Sequence, residues 1–254
     1  MKGHRPLGLK VPTTFDNSVV IFTCCEWLDV RDQSILLAAI ALAGLRPSEV
    51  GAESKSPIGQ QLWSGLQPLS DALGGRALVL TTTYYRLLRA ANLATRDHDY
   101  TRVRDSLYRL AQVGCRVQRD GYDWSMRLLS YVSAPDGEIH IAFNTRFADA
   151  LSHGQHVRVC LEERSRLKND TPKLLHAWLS AITRPGARGF WMGLDSVAKR
   201  IWGSDCEVAA TQSWRRGQLV KALREIAQLG WGVEQKGRGI RHQMRVHRPK
   251  MGAS

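Results

Sequence analysis

LYRLAQVGCRVQRDG (Leu107–Gly121) and LREIAQLGWGVEQKG (Leu223–Gly237) align without a gap and share L-x-x-[LI]-A-Q-[LV]-G-x-x-V-x-x-x-G. Each stretch reads as the end of an amphipathic helix, a glycine cap and the first strand of a β-hairpin. Identity at Leu, Ala, Gln, Gly, Val and Gly in register makes the two halves copies of one unit. The spacing upstream agrees. In the first half, DQSILLAAIALAGL (Asp32–Leu45) predicts a buried helix opened by Asp32 and stopped by Gly44 and Pro47. Pro47 to Gly65 reads as a loop. A helix capped by threonines runs to about Ala91, and a second spans about Asp99–Val113. The period then changes to alternation around Asp120-Gly121, and a strand EIHIAF follows the Asp136-Gly137 turn.

The second half repeats the order. TPKLLHAWLSAI (Thr171–Ile182) predicts a helix with Pro at its first position, and LDSVAKRIWG a helix capped by Asp195 and stopped by Gly203. A long helix runs from about Ala209 to Leu229, and a hairpin turns through Lys236, Gly237, Arg238 and Gly239. Three helices and a hairpin are the order of a winged helix. The expected fold is therefore α+β, two tandem winged-helix domains with an internal pseudo-duplication: an N-terminal extension at 1–29, a first winged helix at 30–150, and a C-terminal DNA-binding winged helix at 157–250.

The charge is uneven. The 254 residues carry 36 Lys+Arg against 23 Asp+Glu, a net charge of +13. From Arg184 to Lys250 there are 14 basic residues against five acidic ones, an excess of nine in about a quarter of the chain, the distribution expected of a protein that holds a polyanion. The basic residues do not line one amphipathic helix, which argues against a membrane surface. No apolar run reaches the roughly 18 residues of a membrane span, and MKGHRPLGLKVP lacks the apolar stretch of a signal peptide, so a cytoplasmic protein is expected. Cys24, Cys25, Cys115, Cys160 and Cys206 are odd in number, lack CxxC spacing and read as thiols.

On a helical wheel the long helix buries Leu219, Val220, Leu223, Ile226 and Ala227 and presents Thr211, Trp214, Arg215, Gln218 and Lys221. Arg and Lys can reach guanine O6/N7 or phosphate, and Gln can bond adenine, so Thr211, Arg215, Gln218 and Lys221 are expected to face DNA. Trp214, whose large apolar area is usually buried, reads as packing before recognition. Arg216 falls on the buried side and is assigned a flank or phosphate role, and Arg224 joins the DNA-binding set. The wing residues Lys236, Arg238, Arg241 and Arg245 are expected to hold phosphates. The equivalent helix of the first half offers Thr101, Arg102, Asp105 and Arg109, of which Arg102 and Arg109 are candidate DNA contacts.

Catalytic signals are missing. There is no GxxxxGK[ST], no HExxH and no Gly-x-Ser-x-Gly, and His242 and His247 have the wrong parity to share a strand face. Tyr84 and Tyr85 invite comparison with DNA-nicking initiators, but the paired His motif is absent, and the tyrosines read as core and helix surface. No catalytic residue, metal or cofactor is expected.

GQHVRV (Gly154–Val159), LLHAWL (Leu174–Leu179), RLLSYVS…GEIHIAFN (Arg127–Asn144) and ALREIAQLGWGVE (Ala222–Glu234) together resemble the RepC-type replication initiators of IncQ-like plasmids. The resemblance runs from about Asp32 to Pro249. It implies a non-enzymatic protein that binds iterons, the direct repeats of a plasmid's vegetative origin of replication, in double-stranded DNA. It further implies opening of adjacent AT-rich DNA, loading of a plasmid-encoded helicase, priming by a plasmid primase, and self-association. The alternative within DNA binding is a winged-helix transcriptional regulator, which would favour a palindromic site and a stable dimer.

Overall fold

The computed structural model describes residues 9–15, 18–45, 48–119, 121–152, 157–203 and 208–250. The described residues divide into two compact units, one within 9–152 and the other within 157–250.

The first unit contains β1 (Leu9–Phe15), β2 (Ser18–Cys24), α1 (Val30–Leu45), β3 (Ser48–Val50), α2 (Pro57–Leu66), β4 (Leu69–Ser70), β5 (Ala77–Thr83), α3 (Tyr84–Ala90), α4 (Asp97–Ala111), β6 (Gly114–Arg119), β7 (Tyr122–Arg127), β8 (Leu129–Ser133), β9 (Glu138–Phe143) and α5 (Thr145–Ser152). Its strands form two antiparallel sheets, β1-β2-β6-β7-β4 and β3-β5-β9-β8. Ile35, Leu87, Leu107, Leu129 and Phe143 are fully buried between the helices and the second sheet. Leu62, Trp63 and Leu66 of α2 pack with Val117, Trp124 and Met126 of the first.

Three expectations for this unit need correction. The boundary at residue 30 is too late, because β1 and β2 pair with each other and β2 pairs with β6, so the segment assigned to an extension enlarges the hairpin's sheet. The loop at 47–65 holds a helix: Ser56 accepts a hydrogen bond from the Gly59 amide and Pro57 takes the first helical position, a start signal sufficient despite the glycines that follow. Asp32 does not open the helix: α1 begins at Val30, and the Asp29 carboxylate accepts from the Asp32 amide. Asp32 is fully buried inside α1, where it exchanges hydrogen bonds with Asp29. The tyrosines divide as expected, Tyr84 buried and Tyr85 exposed.

The second unit contains α6 (Leu161–Arg166), α7 (Asp170–Ile182), β10 (Met192–Gly193), α8 (Leu194–Trp202), α9 (Ala209–Ala227), β11 (Gly232–Lys236) and β12 (Gln243–His247). Its antiparallel sheet has the order β10-β12-β11, so β12 is central and β11 outermost. Leu175, Leu179, Leu219, Leu223, Ile226, Met244 and Val246 form the core. Truncating Leu223 to Ala would cost about 2–5 kcal/mol by transfer and cavity terms. Polar groups seal one side. Trp231 Nε1 donates to Glu163 at 3.0 Å, the buried His176 Nε2 meets the same carboxylate at 2.8 Å, and Arg248 donates to the carbonyls of Ser180, Thr183 and Arg158. Burial pushes His176 below its ordinary pKa, against the opposing pull of Glu163.

Asp195 does not cap α8. The N-cap is Gly193, delivered by β10, and the Asp195 carboxylate is engaged by Arg216 of α9. Cys24, Cys25, Cys115 and Cys160 are thiols rather than disulfides, and Cys206 lies outside the described residues. Among the described residues no helix is long and apolar enough to cross a membrane, and no group of three or more His, Cys, Asp or Glu could hold a metal.

Candidate nucleic-acid interface

The long helix forms as its pattern predicts, but it is rotated. α9 buries Arg215, Leu219, Ala222, Leu223 and Ile226. Relative to the expected set, the buried arc is turned by roughly 55–60°, at 100° per residue, toward Ala222 and Arg215 and away from Val220 and Ala227. The reason is Arg215, which a polarity wheel places outside. It is buried, and its guanidinium lies over the Trp202 ring of α8 at 5.5 Å, a cation–π contact that lets a charged residue occupy the buried arc.

The consequence is a different outer face. Ser213, Trp214, Gly217, Lys221, Arg224 and Gln228 are exposed, while Thr211, Gln218 and Arg216 are half-buried. Trp214 is 50% exposed, with its ring 6.0 Å from that of Trp202, so it packs as expected on one side and is open on the other. Arg216 donates two hydrogen bonds to Asp195 at 2.7 and 2.9 Å, and this pair raises its pKa further; it ties α9 to α8 and is not available as an open phosphate contact.

The hairpin after α9 has a defined basic surface. Trp191 is the anchor: Lys236 Nζ sits 4.3 Å from its ring centroid and the Arg245 guanidinium 4.5 Å. Arg245 also donates to Glu234 at 2.6 Å, as does Arg188 from the segment before β10 at 2.7 Å. Hydrogen bonds from Arg245 and Arg188 hold the Glu234 carboxyl below the usual range, so it stays ionised among them. Arg245 is therefore half-buried and charge-paired, whereas Lys236, Arg238 and Arg241 are exposed. The turn is fixed by Gly237, at φ +74, where a Cβ would lie 2.3 Å from the Arg241 carbonyl oxygen.

In the first unit the two candidates separate. Arg102 is 57% exposed in its side chain, 3.8 Å from Asp99. Arg109 does not present itself to a ligand. Its Nη2 reaches the buried Asp32 at 2.7 Å and its Nε at 3.1 Å, and Ser106 donates to the same carboxylate. Donating to the Asp32 carboxylate raises the Arg109 pKa; the group balances a charge buried in α1.

The exposed Lys221, Arg224, Lys236, Arg238 and Arg241 thus remain from the candidate set in the second unit, with Thr211 and Gln218 at the flank. Sequence reasoning missed Trp191 and Arg188, which precede a two-residue strand too short to show a period.

The sequence matches the family model described as Replication protein C (RepC) over residues 3–250. No curated protein matches it. The fold is similar to a crystal structure of domains 2 and 3 of RctB, with a TM-score of 0.56 at 12% identity over 94% of this chain and 90% of that one. A second crystal structure of RctB domains 2-3 gives a TM-score of 0.54 at 13% identity over 97% and 92%. Family membership supports a role in replication initiation. Because the match spans nearly the whole sequence, the chain belongs to the RepC family of replication proteins.

Proposed function

We propose that the protein is a sequence-specific initiator that binds iterons at a plasmid's vegetative origin, in the manner of IncQ-like plasmids. The second unit is read as a winged helix, α7-β10-α8-α9-β11-β12, in which α9 enters the major groove and the β11–β12 hairpin lies along the phosphates. The first is read as a related winged helix enlarged by β1 and β2, with α1, α3 and α4 followed by β6 and β7. The observation that carries the proposal is the set of exposed Lys221, Arg224, Lys236, Arg238 and Arg241 on one unit of a RepC-family chain. Lys221 and Arg224 on α9 suit base edges or the groove wall, and the three wing residues suit phosphates. Opening of neighbouring AT-rich DNA, hand-over to a plasmid-encoded helicase and primase, and self-association on tandem repeats complete the reading.

Duplexes of ~25 bp selected by the full chain from randomised DNA test it. Anisotropy at ~150 mM salt should show a preference of a thousandfold or more for the selected sequence over a scrambled one. Equal binding would overturn sequence-specific recognition. Occupancy of direct repeats in head-to-tail order supports the initiator, whereas a preference for inverted repeats would favour a transcriptional regulator.

A further inference from the structure

We infer that Trp214 and Gly217 form a thymine-reading surface on α9: the indole packs on the 5-methyl group of a thymine in the major groove, and Gly217 leaves the space that lets the base edge approach. The inference rests on the proposed duplex recognition and adds the chemistry that α9 reads.

Trp214 is half exposed, although burying an indole is among the most favourable things a side chain can do. It is held in that position. Its ring leans on Trp202, which in turn carries the buried Arg215 guanidinium, so a stack from α8 and α9 supports a presented aromatic face. One turn along the same face stands Gly217, in the interior of a 19-residue helix. No atom lies within 4 Å of where its Cβ would be, and its backbone has no left-handed φ, so neither space nor conformation within the chain requires glycine. Alanine there would strengthen the helix, and the absence of a side chain therefore points to an outside partner that comes close.

The neighbours define the partner. Lys221 and Arg224 are exposed on the same face, one and two turns further, which suits a polyanion. Trp214 to Lys221 is seven residues, about 10.5 Å of helix, close to three base steps of 3.4 Å. The apolar group that a base pair displays in the major groove is the thymine methyl. An apolar plate followed by a notch and a cation fits a thymine beside the backbone it belongs to.

The test replaces each thymine of the selected ~25 bp duplex with deoxyuridine, which removes the methyl alone. One replacement should weaken the wild-type complex ~3–10-fold, about the worth of one buried methyl and its contacts. Trp214→Ala should lose a similar factor on the unmodified duplex and be indifferent to that replacement. Gly217→Ala should raise the Tm by about 2–4 °C and yet weaken the selected duplex while leaving random DNA unchanged, a combination that a purely structural glycine does not give. Trp214→Phe, which keeps a ring, serves if the alanine variant fails to fold, and should retain sensitivity to the replacement. A wild-type protein indifferent to every deoxyuridine overturns the inference and leaves the initiator reading standing. Equal loss on random and selected DNA in Trp214→Ala, or a changed oligomeric state, overturns it in favour of a structural or protein-binding indole. If no sequence is selected at all, the reading of duplex recognition falls and this inference with it.

Discussion

The two hairpins that carry the repeated sequence end in opposite situations. β6–β7 lies inside a five-stranded sheet, flanked by β2 on one side and β4 on the other. β11–β12 belongs to a three-stranded sheet in which β11 is outermost. Their helices differ in the same sense. α4 turns Arg109 inward to Asp32 of α1, and Arg31 reaches the buried Asp99, so these two of its charged positions hold the first unit together while Arg102 and Arg104 stay exposed beside the acidic Asp97 and Asp105. α9 spends Arg215 and Arg216 in that way and leaves Lys221 and Arg224 outside. A shared local sequence thus fixes a helix end and a hairpin. It does not fix which residues remain for a ligand, because that depends on what packs around each copy.

The largest break in this comparison should come from Arg109→Ala. It strands the Asp32 carboxylate, whose side chain is 1% exposed, and should cost about 3–5 kcal/mol of stability in urea unfolding. Amide exchange should locate the loss in α1 and α4, and DNA affinity of the folded protein should be unchanged; a specific loss of DNA binding at full stability would return Arg109 to the interface. Next, Lys221→Ala should cost about 1–3 kcal/mol on the selected duplex and much less on random DNA if the side chain reaches a base. Arg215→Ala should act through stability, at about 1–2 kcal/mol from the lost cation–π contact and packing, as read by thermal unfolding. Were it instead to lose sequence preference with no change in Tm, the buried assignment would be wrong. Arg238→Ala should weaken selected and random duplexes alike and flatten the dependence of log affinity on log salt by about 0.9. The smallest effect is pH-dependent. His176 is held below its ordinary value of 6.5 by burial, so the folded second unit favours the neutral ring while the unfolded chain takes up a proton near 6.5. The stability present above that pH should decline as pH falls through 6.5 toward the lower folded value. Amide exchange in α7 should quicken over that range, and His176→Gln should remove the trend.

Much of the framework was legible. Helix ends punctuated by Gly203 and Gly230, and the turns at Gly121 and Gly237, were readable because positive φ and missing side chains restrict what can stand there. The two glycines of the repeat still differ: Gly230 is left-handed at φ +90, while Gly114 opens β6 without a left-handed φ. The rotation of α9 was not legible. A wheel weighs Val220 and Ala227 as apolar and Arg215 as polar, whereas the buried arginine sets its guanidinium over Trp202, a residue on another helix. Likewise nothing local in DQSILL states that Asp32 will be met by Arg109, 77 residues away. Both failures concern long side chains whose partners are distant in sequence.

The outermost position of β11 has a consequence independent of any ligand. An outer strand with an unpaired row of amides and carbonyls is a template on which a second chain can add a strand, the first step of aggregation. β11 is five residues long and carries Glu234 and Lys236, with Arg238 just beyond its end, features that discourage such addition. The charges of this hairpin therefore also oppose self-adhesion, and a test of the proposed DNA contacts by apolar replacement would confuse lost affinity with aggregation where glutamine would not.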